Sequence, residues 1–253
     1  MDAIKLVAHR GYQRLFPENT LLSYVEAINA GAQFIETDIQ LSADGHPVLY
    51  HDRKLKRSSA LKGAIHDHSL DQLLHAPNHE PKRFGSAFIG QTINPLSELV
   101  TLLKAHPNVH AFIEAKSCSI DFHGIDTVYQ SIVDTLKPIA RQCTLISFHI
   151  PFIAHAKAAG EHSLGIALRR WKDLQRTEVQ DIAPEYIFAN VGDVPKKADL
   201  NDLNAKLVVY EIDSPDIACA LQQRGVEYIE TFAIGDMHKT LVANSDSNVE
   251  KQL

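Results

Sequence analysis

Short apolar runs separated by amphipathic stretches recur along the whole chain, and this alternation restricts the fold more than any other feature. Ile4 to Ala8, Phe34 to Leu41, Val48 to Tyr50, Val109 to Ala115 and Thr144 to Phe148 read as strands. Leu164 to Leu168, Tyr186 to Ala189, Leu207 to Ile212 and Tyr228 to Phe232 continue the series. Helical patterns lie between most of them. Pro17-Glu18-Asn19-Thr20 opens one with apolar residues at Leu21, Leu22, Val25 and Ile28, ended by Gly31, and Ile125 to Leu136 and Pro215 to Arg224 are others. Strand–helix alternation of this kind predicts a parallel sheet.

These nine strands are one too many for an eightfold barrel. Asp44-Gly45 resolves the excess, because a parallel crossover cannot be made in so few residues whereas a hairpin can. Val48 to Tyr50 is therefore expected to fold back antiparallel. With Asp44 and Gly45 as a two-residue loop, Ala43 faces His46 and Asp38 faces His51. Eight parallel strands remain, so the predicted fold is an α/β (β/α)8 TIM barrel with a small insertion after the His51-Asp52 hairpin. Residues 1–253 read as one barrel domain, with 53–93 as an insertion of lid or substrate-loop character. The polar run 244–253 reads as a disordered tail.

The chain has 253 residues and a formal net charge of −6, without a block of like charge, so a nucleic-acid role has no electrostatic footprint. An acidic protein with an anionic substrate must make positive potential locally, from a metal ion or a few Arg and Lys. No apolar stretch approaches the ~18 residues of a membrane span. The opening residues run directly into the first strand without the pattern of a secretory leader. Cys118, Cys143 and Cys219 are odd in number and far apart, which reads as free thiols. Cytoplasmic localisation is the expectation.

The chemistry-bearing residues fall at strand ends. Glu36 and Asp38 are two apart on one strand and share a face. Adjacent carboxylates repel unless a positive group lies between them, and a hard divalent cation with oxygen ligands answers that need. An ion pair with Arg or Lys answers it too. Glu114 and Lys116 share a face near the end of another strand, as a third ligand and a phosphate-neutralising charge, or as a packing pair. Arg10 can hold a phosphate with parallel hydrogen bonds, and Gly11 permits close backbone approach. His9 and His51, both at strand ends, can act as base and acid, since free imidazole titrates near pH about 6.5. Asp52, next to His51, can orient an imidazole or cap a turn, and structural support is the expectation. Among the described motifs there is no nucleophile elbow, Walker loop or dinucleotide fingerprint.

Taken together, His9-Arg10-Gly11, Pro17-Glu18-Asn19-Thr20, Glu36-x-Asp38, Ser42-x-Asp44-Gly45 and His51-Asp52 resemble the glycerophosphodiester phosphodiesterases. Glu114-x-Lys116, Ser147-Phe148 and Asn94-Pro95-Leu96-Ser97-Glu98-Leu99 extend the likeness, which covers residues 4 to 150 well and the last hundred loosely. The resemblance implies a (β/α)8 barrel that hydrolyses glycerophosphodiesters to glycerol 3-phosphate and an alcohol. It makes His9 and His51 the acid–base pair, and Glu36, Asp38 and Glu114 the ligands of a divalent cation, Mg²⁺ or Ca²⁺. Arg10 and Lys116 would contact phosphate, and Glu18 would face the substrate side, although a helix N-terminus explains a carboxylate there equally well. The expected partner is a small phosphodiester. Neither nucleic acid nor stable membrane insertion is expected, and the sequence leaves the oligomeric state open.

The C-terminal third departs from the family pattern. Val208-Val209-Tyr210-Glu211-Ile212-Asp213 stands where members carry a Trp-Thr-Val-Asn-like strand, and Glu230-Thr231-Phe232 replaces the closing Thr-Asp-x-Pro. Glu211 binds a polyol hydroxyl or cationic head group, or forms a salt bridge. Phe148 packs against substrate or in the core. Three other readings compete. A phospholipase-like barrel acting on a lipid phosphodiester requires an apolar entrance, for which Phe84, Phe88 and Ile89 are available. A phosphoryl-ligand binder has no need for two proton carriers. A Schiff-base lyase would have to use Lys116, which Glu114 keeps charged.

Overall fold

The computed structural model describes residues 4–59, 61–197, 200–201 and 203–241, so the expected tail at 244–253 lies outside the described residues. Strand β1 (Lys5–His9) pairs in parallel with both β2 (Phe34–Leu41) and β9 (Tyr228–Thr231). From β2 the ring runs through β4 (His110–Ala115), β5 (Cys143–Ser147) and β6 (Leu164–Ala167). It continues through β7 (Tyr186–Asn190) and β8 (Lys206–Tyr210) back to β9. The short β3 (Pro47–Leu49) lies antiparallel on β2, leaving eight parallel strands in a closed (β/α)8 barrel.

Strand parity divides the apolar residues into two cores. Val7, Phe112, Ile146, Tyr186, Phe188 and Val208, with Tyr228 and the half-buried Phe34, point into the lumen and fill it. Their chain neighbours, such as Leu6, Ala8, Ile35 and Ile113, point outward under the helices. Each large apolar side chain taken from water contributes about 1.5–3 kcal/mol. The helix Leu21–Asn29 begins where Thr20 caps Ser23 N and Ser23 returns the bond. Its buried positions are Ser23, Tyr24 and Ala27, while Val25 is exposed, because this face carries polar groups into the first loop. Ser23 Oγ donates to the Arg10 carbonyl and Tyr24 OH to Asn19 Oδ1.

The hairpin differs from the expected register. Ile39 lies opposite Leu49, Gln40 opposite Val48 and Leu41 opposite Pro47. Ser42 N donates to His46 O, so Ala43, Asp44 and Gly45 form a three-residue loop, with Gly45 at φ 81°. A three-residue hairpin places a left-handed residue at its end, and glycine accepts it without strain. Asp38 is consequently level with Tyr50, whose N–H donates to the Asp38 carbonyl, and not with His51. Tyr50 belongs to a third small core with Val48, Leu55, Ile65, Leu73 and Ile93. That core holds together the segment between β3 and the helix Leu96–Ala105, which carries only short helices such as Leu55–Arg57 and Leu70–Leu74.

Candidate active site

The lumen core ends at one layer, and the next layer up is polar. Two residues beyond Val7 comes His9, beyond Phe34 Glu36, beyond Phe112 Glu114 and beyond Tyr228 Glu230; the pleat gives all four the inward direction. His9 is level with Glu36, and Asp38 with Glu114. Carboxylate oxygens of Glu36, Asp38 and Glu114 all lie within 4.8 Å of one another, and all three residues are buried. This is the C-terminal end of the strands, the end at which barrels of this class place their chemistry.

Burial of so much acid demands positive charge. Asp38 receives it on both oxygens. Lys116 Nζ stands 3.0 Å from Oδ1, Arg10 Nε stands 3.0 Å from Oδ2, and Asn19 Nδ2 donates to Oδ2 at 2.8 Å. Burial alone would raise the Asp38 carboxyl, but Lys116 and Arg10 hold it well below the usual carboxylate range. Glu114 shares Lys116 at 2.8 Å, yet burial still pushes it upward. Glu36, which among the described residues has no Lys or Arg side chain in salt-bridge contact, is pushed well above the usual range by burial and by Asp38, Glu230 and Glu114 around it. Arg10 adopts φ 53°, a left-handed conformation that costs a non-glycine residue about 1–2 kcal/mol. Its side chain lies between Asp38 and Glu18, and its N–H donates to the Glu36 carbonyl. Asp38→Ala is expected to destabilise the fold by about 3–5 kcal/mol, since Arg10 and Lys116 would lose a buried counter-charge. The urea midpoint measures it, and an unmoved midpoint would refute this account.

His9 is 7% exposed, and its Nε2 lies 3.6 Å from Glu230 Oε1 and 3.9 Å from Glu36 Oε2. Burial, reinforced by the Arg10 charge, holds its imidazole well below its ordinary pKa, so the ring is neutral. Among the described residues its buried Nδ1 has no hydrogen-bond partner. Glu230 itself is raised well above the usual range, first by burial.

His51 reaches the site from beyond the end of β3 and is half-buried. Its Nδ1 is 2.8 Å from Asp52 Oδ1. Against the cost of burial, hydrogen bonds from His51 and Arg57 hold Asp52 far below its ordinary range. Arg57 also binds Glu18 through two nitrogens and approaches Glu80, and Glu18 N donates to Glu80. Glu18 is thus a buried brace between the first loop and the segment after β3. His51, Asp52, Glu114, Lys116, Phe148 and Arg169 line a cleft of about 780 Å³ together with basic side chains of that segment. Phe148 has the Arg169 guanidinium 5.5 Å from its ring centre. Glu211 is exposed, outside the cleft lining, though close enough to Glu230 to raise its pKa.

Glu230, Asn19, Glu80 and Arg169 are parts of this arrangement that sequence reasoning did not select. A signal existed for Glu230, which lies in the strand predicted to close the barrel and shares the parity of Tyr228. Glu80 and Arg169 lie in irregular chain, where periodicity carries no information.

The family model for glycerophosphoryl diester phosphodiesterases matches residues 9–231. The chain belongs to that family. A glycerophosphodiester phosphodiesterase of Caldanaerobacter subterraneus subsp. tengcongensis is 33% identical over 234 residues, 89% of this chain and 93% of that one. A glycerophosphodiester phosphodiesterase of Bacillus altitudinis is 30% identical over 145 residues, 57% of this chain and 58% of its own length. A solved Oleispira antarctica phosphodiesterase in complex with the product sn-glycerol-3-phosphate has a TM-score of 0.83 at 21% identity, covering 94% of this chain and 96% of that one, a likeness of fold.

Proposed function

We propose that the chain hydrolyses glycerophosphodiesters to glycerol 3-phosphate and an alcohol, with His9 and His51 as proton carriers and a divalent cation on Glu36, Asp38 and Glu114. The observation that carries this reading is the convergence of three buried carboxylates within 4.8 Å, flanked by His9, with Glu114 and His51 both on the wall of the cleft. The donor set fits Mg²⁺ or Ca²⁺, because carboxylate oxygens are hard ligands and, among the described residues, the three acids share only Arg10 and Lys116 as nearby cations. When bound, such an ion neutralises phosphoryl oxygens and stabilises the charge added in the transition state.

The remaining chemistry belongs to the side chains. Arg10 and Lys116 present fixed positive charge to the phosphate. His9, neutral in its buried site, accepts a proton at Nε2 from the attacking oxygen, either water or the neighbouring glycerol hydroxyl, the latter giving first a cyclic phosphate that water then opens to glycerol 3-phosphate. His51, oriented through Nδ1 by ionised Asp52, delivers a proton from its other nitrogen to the departing alkoxide. Phe148 borders the leaving group, and Glu211 stands at the outer edge as a contact for a polyol. The free Cys118, Cys143 and Cys219 suit a reducing cytoplasm. Among the described residues no helix is long and apolar enough to cross a membrane.

The test is incubation of the metal-stripped protein with glycerophosphocholine and glycerophosphoethanolamine, with and without Mg²⁺ or Ca²⁺. Metal-dependent release of glycerol 3-phosphate is expected. Binding of either compound without turnover would instead assign the fold to ligand capture.

A further inference from the structure

The cleft is far more basic than one phosphodiester requires. Arg10, Arg57 and Lys116 are committed to ion pairs with Glu18, Asp38, Asp52 and Glu114. Five other cations line the cleft, namely Arg53, Lys54, Lys56, Lys82 and Arg169. Among the described residues none of the five has a carboxylate within 4.0 Å, and Arg169 meets only the Phe148 ring. Four of them come from the segment after β3, and Arg169 comes from the loop after β6, across the opening. All five are exposed. In a chain of net charge −6, these five cations are thus held together against like-charge repulsion without an ion-paired acid among the described residues.

A glycerophosphodiester with a choline or ethanolamine head would bring a cation into that surround. A phosphodiester with a neutral head would bring one negative charge, which Arg10 and Lys116 already meet. A head group with a second phosphate would supply oxygens in several directions to cations arriving from two sides of the cleft, as a planar carboxylate would not. We propose that the preferred substrate is a glycerophosphodiester whose departing alcohol itself carries a phosphoryl charge, with Arg53, Lys54, Lys56, Lys82 and Arg169 as its subsite. This rests on the hydrolytic reading above and specifies the alcohol it releases. Positive walls of this kind raise capture rates of anionic ligands by about 10- to 1000-fold at low ionic strength.

The experiment compares bis(glycerophospho)glycerol, glycerophosphoglycerol and glycerophosphocholine, whose head groups are anionic, neutral and cationic, at low and high salt. Relative to glycerophosphocholine, kcat/KM for the bis compound, corrected for its paired scissile bonds, is expected to be at least about tenfold higher at low salt. That preference should contract at about 1 M NaCl, where the screening length is ~3 Å. The variant K54E/K82E/R169E should lower the preference by a further tenfold or more, to about unity. These side chains are exposed, and an unchanged melting temperature verifies the fold of the variant. A wild-type preference near unity overturns the subsite even though all three compounds are hydrolysed. A preference that survives charge reversal overturns it as well. Capture of phosphatidylglycerol vesicles by the wild type and not the variant, with no substrate preference, also overturns it and assigns the cations to a surface. Failure to hydrolyse any of the three compounds removes the hydrolytic reading itself.

Discussion

His51→Ala is expected to lower kcat on a glycerophosphodiester by about 10²- to 10⁴-fold, the range for losing a general acid or base. The effect should be kinetic rather than structural. The ring is half-buried on the wall of the cleft, and among the described residues its only side-chain partner is Asp52, which Arg57 also holds. Melting temperature should therefore stay within a few degrees of the wild type. Asp52→Asn should give a smaller kinetic loss, because it removes orientation while leaving the ring. A substrate with a more acidic leaving alcohol should recover most of the loss, because an alkoxide that departs readily needs no proton. His9→Ala makes a useful contrast, as it empties a buried position beside Glu36 and Glu230 and should lower both rate and stability. Activity of His51→Ala at the wild-type level would remove His51 from the chemistry, and an unrescued loss would make its role one of binding.

The parts of this site that were legible in the sequence are those governed by period-two geometry. Glu36 with Asp38, and Glu114 with Lys116, share inward faces because strand parity admits no other arrangement once the lumen residues Phe34 and Phe112 are fixed. The antiparallel turn after β2 was legible because a two-residue signal excludes a crossover. Its register was not, since Asp-Gly serves both two-residue loops and three-residue loops ending in a left-handed glycine. The choice is made by Ser42, whose hydroxyl donates to Asp44 Oδ1 and accepts from His46 N. His51 consequently reaches the cleft by the path of an irregular segment. The braces around it are tertiary pairings, such as Arg57 with Glu18 and with Glu80, and no local pattern specifies them. Glu230 was hidden for a different reason. A lone acid at a strand end reads as an exposed terminus until the ring closes and the strand becomes the neighbour of His9.

Mg²⁺ or Ca²⁺ is expected to raise the melting temperature of chelator-treated protein, and to raise it more at pH 8 than at pH 5. Glu36, Glu114 and Glu230 have pKa values pushed upward in the fold, first by burial. Such groups contribute stability that is fully present below the ordinary Glu pKa of about 4.3 and is lost as pH rises through their raised values. Asp38 runs the other way. Held low by Lys116 and Arg10 against its burial, it contributes stability above its ordinary range and loses it only in acid. As pH rises above the ordinary Glu range the metal-free fold should therefore weaken as the raised glutamates ionise, while Asp38 contributes a constant amount. A divalent cation binds the ionised carboxylates, so its stabilising effect should grow over the same interval. At a free concentration of 100 times Kd the gain is about 2.7 kcal/mol. At roughly 2–4 °C per kcal/mol for a chain of this size, the shift should be about 5–10 °C. Scanning calorimetry at both pH values, with chelator to reverse the effect, measures it. Glu36→Gln removes a ligand and one of the rising charges together, so it should shrink the shift and also flatten the pH dependence of the metal-free protein. An equal shift at pH 5 and pH 8 would place the cation elsewhere on the molecule.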